Sequence, residues 1–352
     1  MAHVPRARLP LLSHARRTAA GAGGYDSGRL NLPFVGHATF NKAPPVDPSI
    51  WEEQLSAQRP DVAVLGVPFD CGTQYRAGAR FGPRAIRAAS TLYAFGHGAV
   101  YDHEEDFDYT YGSMLDLGDV DMVHTDTQKS HQNVRDAVRM LLRTSPNTIP
   151  VVLGGDHSVT APVLEAYDEW CAVHGSVHVV QFDAHLDFVD IRHGVRYGHG
   201  NCMRRAAELP FISGQTQLGI RNVSSTNRSG YEAAREMGST ILSVRQVRKL
   251  GIDGVLATLP PIAERFYITV DIDGFCPSIA PGTGTPSHGG FHYYEVVELI
   301  QALAKRGRIV GLDMMEVAPD YDPTDSTAML AARVLLDTLG FANRYAPLHA
   351  GK

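Results

Sequence analysis

Five short, continuous runs of mostly apolar residues constrain this chain most: Val62 to Val67, Pro150 to Leu153, Val177 to Phe182, Tyr267 to Ile272 and Arg308 to Leu312. A strand with one wet face alternates apolar and polar residues, whereas a strand covered on both faces does not, and these runs do not alternate. They read as strands of a parallel sheet, whose neighbours must be joined by long crossovers, usually helices. The spacers supply them. Val134, Val138, Leu141 and Leu142 recur at helical spacing, as do Val296, Ile300 and Leu303. Pro162, just after Ser158-Val159-Thr160, suits the first turn of one helix running through Leu164, Tyr167 and Trp170. The expected fold is α/β, a three-layer α/β/α sandwich with a mainly parallel central sheet. Residues 61–345 show neither repeat nor compositional break and are expected to form a single catalytic domain. Residues 1–60, rich in Pro, Gly and Asn with no sustained period, read as an irregular N-terminal extension. Its first 24 residues carry Arg6, Arg8, Arg16 and Arg17 but no acid, which suits a solvated arm and is shared by transit peptides.

Composition narrows the function classes. With 352 residues, 44% of them hydrophobic, the chain has material for a large core. A formal charge of −6 gives no basic field for a phosphate backbone, so nucleic acid is excluded as a partner. No apolar run reaches the roughly 18 residues that span a bilayer, so no membrane is expected. Cys71, Cys171, Cys202 and Cys276 form no C-x-x-C pair, the usage of reduced thiols, and a cytoplasmic location is expected.

Sheets of this class hold ligands beyond the carboxyl ends of their strands. Gly154-Gly155-Asp156-His157 follows the second run, Asp183-Ala184-His185-Leu186-Asp187 the third, and Asp271-Ile272-Asp273 closes the fourth. Alternate residues of an extended segment face the same way, so Asp183, His185 and Asp187 can converge, as can Asp271 and Asp273. With His157 they would place two imidazoles and four carboxylates in one cleft. Four adjacent carboxylates repel one another and desolvate badly; two divalent cations balance them and suit a two-metal hydrolytic site. Oxygen and nitrogen donors without thiolate favour Mn²⁺, admit Ni²⁺, Co²⁺ or Fe²⁺, and disfavour a structural zinc. Phosphate-loop, serine-hydrolase and zincin motifs do not occur.

The segments GGDHS (Gly154 to Ser158), DAHLD (Asp183 to Asp187) and DIDGFCPSIAPGTGTP (Asp271 to Pro286) resemble the three signatures of the ureohydrolases, the arginase and agmatinase family, over about Asp61 to Gly340. The resemblance implies a binuclear manganese or nickel enzyme that hydrolyses guanidino or amidino groups to urea and an amine. It implies that His157 and His185 are terminal ligands of the two metals, Asp183 and Asp271 bridge them, Asp187 holds the first and Asp273 the second. The proton-shuttle histidine of the family lies in an HG pair; spacing favours His199 over His193. Glu316, in Gly311-Leu312-Asp313-Met314-Met315-Glu316-Val317, matches the glutamate that pairs with the guanidinium, and Asp313 reads as a cap for backbone amides. Cys276 stands where relatives carry Asp, which implies altered surroundings of the metal ligands. Tyr101 to Tyr109, His193 to Asn201 and the N-terminal extension resemble guanidine and biguanide hydrolases. Phe188 and Tyr197 are expected at the cleft mouth, shortening the pocket for a small guanidine. Agmatinase activity, an inactive partner subunit in a hetero-oligomer, and a one-metal deacetylase of similar topology are the alternatives. A homo-oligomer, trimer or hexamer, is the implied assembly.

Overall fold

In a computed structural model, residues 32–94 and 99–346 are described. The Arg-rich lead of the sequence lies outside them. The strands, in chain order, are β1 (Val62–Gly66), β2 (Val100–Asp102), β3 (Phe107–Tyr109), β4 (Met114–Asp119), β5 (Ile149–Leu153), β6 (Val177–Phe182), β7 (Ile212–Leu218), β8 (Ser239–Leu242), β9 (Arg265–Asp271) and β10 (Arg308–Met315). Eight of them form one sheet in the order β4-β1-β5-β10-β9-β6-β7-β8, with every neighbouring pair parallel; β2 and β3 form a separate antiparallel hairpin.

The helices are α1 (Trp51–Gln58), α2 (Gly82–Ser90), α3 (Thr127–Thr144), α4 (Thr160–Glu165), α5 (Asp168–His174), α6 (Cys202–Ala207), α7 (Arg228–Glu236), α8 (Val244–Ala257), α9 (Tyr293–Arg306) and α10 (Ser326–Tyr345). They cover the sheet in two layers. Ile86 of α2, Val247 of α8, Ile300 of α9 and Leu335 of α10 pack into one core. Leu55 of α1, Val138 of α3, Val163 of α4, Met203 of α6 and Ala234 of α7 pack into the other. The sandwich anticipated from the apolar runs is therefore present, with each buried Val or Leu worth about 1.5–3 kcal/mol of transfer free energy. Among the described residues no helix is long and apolar enough to cross a membrane.

Three local expectations change. The extension, read as irregular, contains α1, whose one buried residue, Leu55, gives too little periodicity to read. The helix from Pro162 to Trp170 is two helices, because i→i+3 bonds from Ala166 and Tyr167 close α4. The buried Tyr167 ring packs edge-on against Trp170 and Tyr267, and its hydroxyl donates to the Val310 carbonyl at 3.0 Å. Finally, β4, β7 and β8 extend the sheet beyond the five runs. In β7 the buried Gln215 and Gln217 donate to the Met203 and Leu186 carbonyls, so a covered strand carries a polar sequence.

Candidate metal centre

The four central strands, β5-β10-β9-β6, end side by side. His157 stands in the turn after β5, Asp183, His185 and Asp187 follow β6, Asp271 ends β9 with Asp273 in the next turn, and Glu316 follows β10. Three of these turns share a device. Asp156 accepts from the Ser158 amide at 2.9 Å, Asp183 from the His185 amide at 2.6 Å and Asp271 from the Asp273 amide at 2.8 Å. A carboxylate bonded to the amide two residues on folds the chain back, so the next donor points to the same place. Gly155 is required in the first turn, because a Cβ there would run into the Phe69 backbone carbonyl.

Two donor groups result. His157 Nδ1 lies 3.0 Å from Asp183 Oδ2, 3.1 Å from Asp187 Oδ2 and 3.3 Å from Asp271 Oδ2. His185 Nδ1 lies 3.0 Å from Asp273 Oδ2 and 3.5 Å from Asp183 Oδ1. Asp183 thus offers one oxygen to each imidazole. All six residues come together, and five of them are buried, with His185 partly exposed. His157 Nδ1 is fully buried yet has no properly aligned hydrogen-bond partner. An orphaned imidazole nitrogen facing three carboxylate oxygens has the donor chemistry of a divalent-cation site.

Electrostatics point the same way. Burial, with repulsion from Asp273 and Asp183, pushes Asp271 well above the carboxylate range. Burial also opposes ionisation of Asp183, but the His157 and His185 imidazoles beside it hold it below that range. His185 is pushed up to about 12: burial works against the charge, and Asp273 and Asp183 outweigh it. The protein's own groups balance only by sharing protons, and divalent cations relieve the same repulsion.

A supporting layer fixes these ligands. His157 Nε2 is 2.8 Å from Thr269 Oγ1, which lies 3.4 Å from Thr160 Oγ1; Thr160 and Tyr267 donate to Asp313 Oδ2 at 2.9 and 2.8 Å. Asp313 lies within β10 and accepts two hydroxyls, so its expected role as a cap for backbone amides is corrected. Gln217 donates to Gln181, which donates to Asp183, both at 2.6 Å. Arg221 donates to the carbonyls of Asp273, Gly274 and Ser287, stapling the loop after β9. No sequence signal marked Thr269, Gln181 or Arg221: Thr269 meets His157 across 112 positions, Arg221 bonds carbonyls 52 to 66 positions on, and Gln181 sits in an apolar strand run without a motif of its own.

The donors open into a cleft of about 560 Å³ lined by His185, Asp187, His199 and Asp271 with Gln74, Arg76, Arg192, Ser225 and Thr226. A larger cavity of about 1010 Å³ between the β2–β3 hairpin, α9 and α10 contains none of the donor residues. His199 Nδ1 lies 2.9 Å from Glu316 Oε1, and its Nε2 lies 3.2 Å from the Gln74 amide nitrogen. Burial disfavours its charge, but Glu316 raises its pKa to about 9. Glu316 also accepts from the His157 amide at 3.0 Å; it is buried behind His199 and does not itself line the cleft. Asp187 and Glu316 have positive φ, 52° and 62°, each costing about 1–3 kcal/mol and held only by their surroundings.

Other expected positions differ. His193 is exposed on the 192–195 turn, so His199 is the cleft histidine. Phe188 is buried in the core, with the Arg204 guanidinium 5.5 Å from its ring, because the chain reverses at Asp187 and carries the ring away from the cleft. Tyr197 packs edge-on against His131, 6.0 Å between centroids. Neither ring lines the cleft. Cys276 belongs to none of the donor groups; hydrogen bonds from Ser278 and from the Gly289 and Gly290 amides hold its thiol below the usual range.

The arginase family model matches residues 60–340. The chain belongs to the arginase family. It is 34% identical over 298 residues to the mitochondrial agmatinase of Gallus gallus, covering 81% of this chain and 82% of the relative. It is 33% identical over 297 residues to the mitochondrial guanidino acid hydrolase of Homo sapiens, covering 81% and 79%. The solved proclavaminate amidino hydrolase of Streptomyces clavuligerus superposes with a TM-score of 0.77 at 31% identity, covering 89% of this chain and 99% of that one. This arginase-family member is an amidinohydrolase acting on guanidino compounds.

Proposed function

We propose that the chain hydrolyses a C–N bond of a small guanidino compound, guanidine or a substituted guanidine or biguanide, to urea or a urea analogue plus ammonia or an amine. The observation that carries this reading is a clasp in the cleft wall. Arg192 donates through Nη1 to Gln74 Oε1 at 2.6 Å and through Nη2 to the Ser225 carbonyl at 2.5 Å, tying two cleft loops together. Apart from Asp187 and Asp271, no carboxylate lines the described cleft. A substrate tail ending in a second ammonium, as in agmatine, would meet Arg192 and Arg76 with no counter-charge. A tail carboxylate would find both arginines engaged, since Arg76 donates to the Thr283 and Gly284 carbonyls. A compact guanidinium meets neither problem.

In this reading His157, Asp183, Asp187 and Asp271 would hold one divalent cation, and His185, Asp183, Asp271 and Asp273 would hold the other, with Mn²⁺ and Ni²⁺ both suited to the donors. Bound divalent metals lower the pKa of water and so make a nucleophile available at neutral pH. Two divalent cations balance the four aspartates, and the Glu316 carboxylate that remains favours a cationic substrate. His199, on the cleft wall, gives a proton to the departing amine; Glu316, behind it, fixes the imidazole through Nδ1 and adds negative charge opposite the cation. Homo-oligomeric assembly, as a trimer or hexamer, and a cytoplasmic location belong to the same reading.

Urea release by the purified chain loaded with Mn²⁺ or with Ni²⁺ tests it, with guanidine, methylguanidines, biguanides, agmatine and guanidino acids as substrates. Turnover of guanidine or a biguanide at least about tenfold above agmatine, about 1.4 kcal/mol of discrimination, is expected. Preference for agmatine or for a guanidino acid refutes it.

A further inference from the structure

Resting on the metal-centre reading above, we propose that Cys202 is a positioning residue for that centre: its thiol donates to Asp187 and fixes that carboxylate beside His157. Cys202 Sγ lies 3.6 Å from Asp187 Oδ2 and 3.6 Å from the His199 carbonyl, and the side chain is buried; its one proton goes to the carboxylate, the stronger acceptor. His157, Asp187 and Cys202 form a third group of potential ligand atoms within 4.8 Å of one another. The independent sign of a ligand here is His157 Nδ1, wholly buried and without an aligned partner.

The backbone makes the thiol more than a neighbour. Asp187 sits at φ 52°, a conformation that an L-residue with a carboxylate side chain keeps only when held. Its carbonyl accepts from the amides of Met203 and Arg204 at 3.1 and 3.3 Å, so residues 202–204 grip Asp187 at both its carbonyl and its carboxylate. The same turn carries His199, which bonds Glu316, the other positive-φ acid of the site. One turn, His199 to Cys202, therefore holds both strained carboxylates. A side chain without a donor at 202 would leave Asp187 Oδ2 free to swing from its place 3.1 Å from His157 Nδ1. Partners that orient a metal ligand typically contribute about 10- to 100-fold in metal affinity.

The test compares the full chain with Cys202→Ala and Cys202→Ser in Mn²⁺ titrations against a competing chelator, with Co²⁺ spectra and urea unfolding of the metal-stripped proteins. One of two Mn²⁺ ions is expected to bind about 10- to 100-fold more weakly to C202A, while C202S, whose hydroxyl still donates, stays within roughly threefold of the parent. Unfolding midpoints of the stripped proteins should agree, and no sulfur-to-Co²⁺ charge-transfer band should appear. Equal Mn²⁺ affinity in C202A and the parent overturns the proposal. So does a loss in C202S as large as that in C202A, or a charge-transfer band in the parent that C202S lacks, which would make Cys202 a ligand. If C202A does not fold, Cys202→Val, which keeps bulk without a donor, takes its place, and equal Mn²⁺ affinity in C202V and the parent overturns the proposal in the same way. A parent chain that binds no metal refutes the centre itself, whereas two ions bound alike by all three proteins refute only the role of Cys202.

Discussion

Replacing Thr269 by Val removes one hydroxyl from behind the metal centre and leaves its shape in place. Thr269 is fully buried on β9, and its Oγ1 is the 2.8 Å partner of His157 Nε2. Valine keeps the branch at Cβ that packs in the sheet, so the loss is one hydrogen bond and the cost is an unpartnered imidazole N–H in a dry interior. Such a group costs about 1–3 kcal/mol. The contact between Thr160 and Thr269 is already long at 3.4 Å, and Thr160 and Tyr267 keep their bonds to Asp313 Oδ2. The penalty therefore falls on the ring orientation that aims Nδ1 at Asp183, Asp187 and Asp271. At about 1.4 kcal/mol per factor of ten, Mn²⁺ affinity should fall by roughly 5- to 150-fold. Chelator competition measures the affinity, and urea unfolding of the metal-stripped proteins measures any change in the fold. T269V that retains both ions as tightly as the parent refutes the view that this contact orients His157.

Three further outcomes follow from the geometry. Arg192→Ala releases Gln74 from Ser225, and the ratio of kcat/KM for guanidine over agmatine should fall about tenfold, equivalent to about 1.4 kcal/mol; an unchanged ratio removes the clasp from the specificity argument. Gly155→Ala forces a methyl into the Phe69 carbonyl, which is itself pinned by the Asp156 amide at 2.7 Å. Overpacking of this kind costs about 1–3 kcal/mol, and a urea midpoint equal to that of the parent would show that the turn yields freely. His178, buried on β6 beside Thr216 Oγ1 at 2.9 Å, has its pKa lowered to about 4, chiefly by burial and secondly by Arg306. Its folded-state pKa lies below the unfolded value of about 6.5, so the unfolded chain takes up the proton first and stability falls as pH drops from about 6.5 towards 4, by at most about 1.4 kcal/mol per pH unit. His178→Gln should lose less stability between pH 7 and pH 5 than the parent in urea titrations; equal losses would exclude His178 as the acid-sensitive group.

The sequence by itself determined the central strands and the donor set, because both are local. A strand covered on two faces writes a continuous apolar run; the donors, expected to converge by alternation along an extended segment, instead converge in turns whose carboxylate binds the amide two residues on, as at Asp183-x-His185 and Asp271-x-Asp273. Tertiary structure alone decided the rest. Strand β7 is polar in sequence because its glutamines are satisfied by the Met203 carbonyl of α6 and the Leu186 carbonyl after β6. The same chain reversal at Asp187 that presents the carboxylate buries Phe188. Thr269 meets His157 across 112 positions, and Glu316 meets the His157 amide across 159. Cys202 reaches Asp187, and Arg192 joins Gln74 to Ser225, only once the loops have closed over the strand ends. A hydrogen bond between distant segments imposes no period and no spacing on the sequence, so the clustered donors could be read from it and the groups that hold them in place could not.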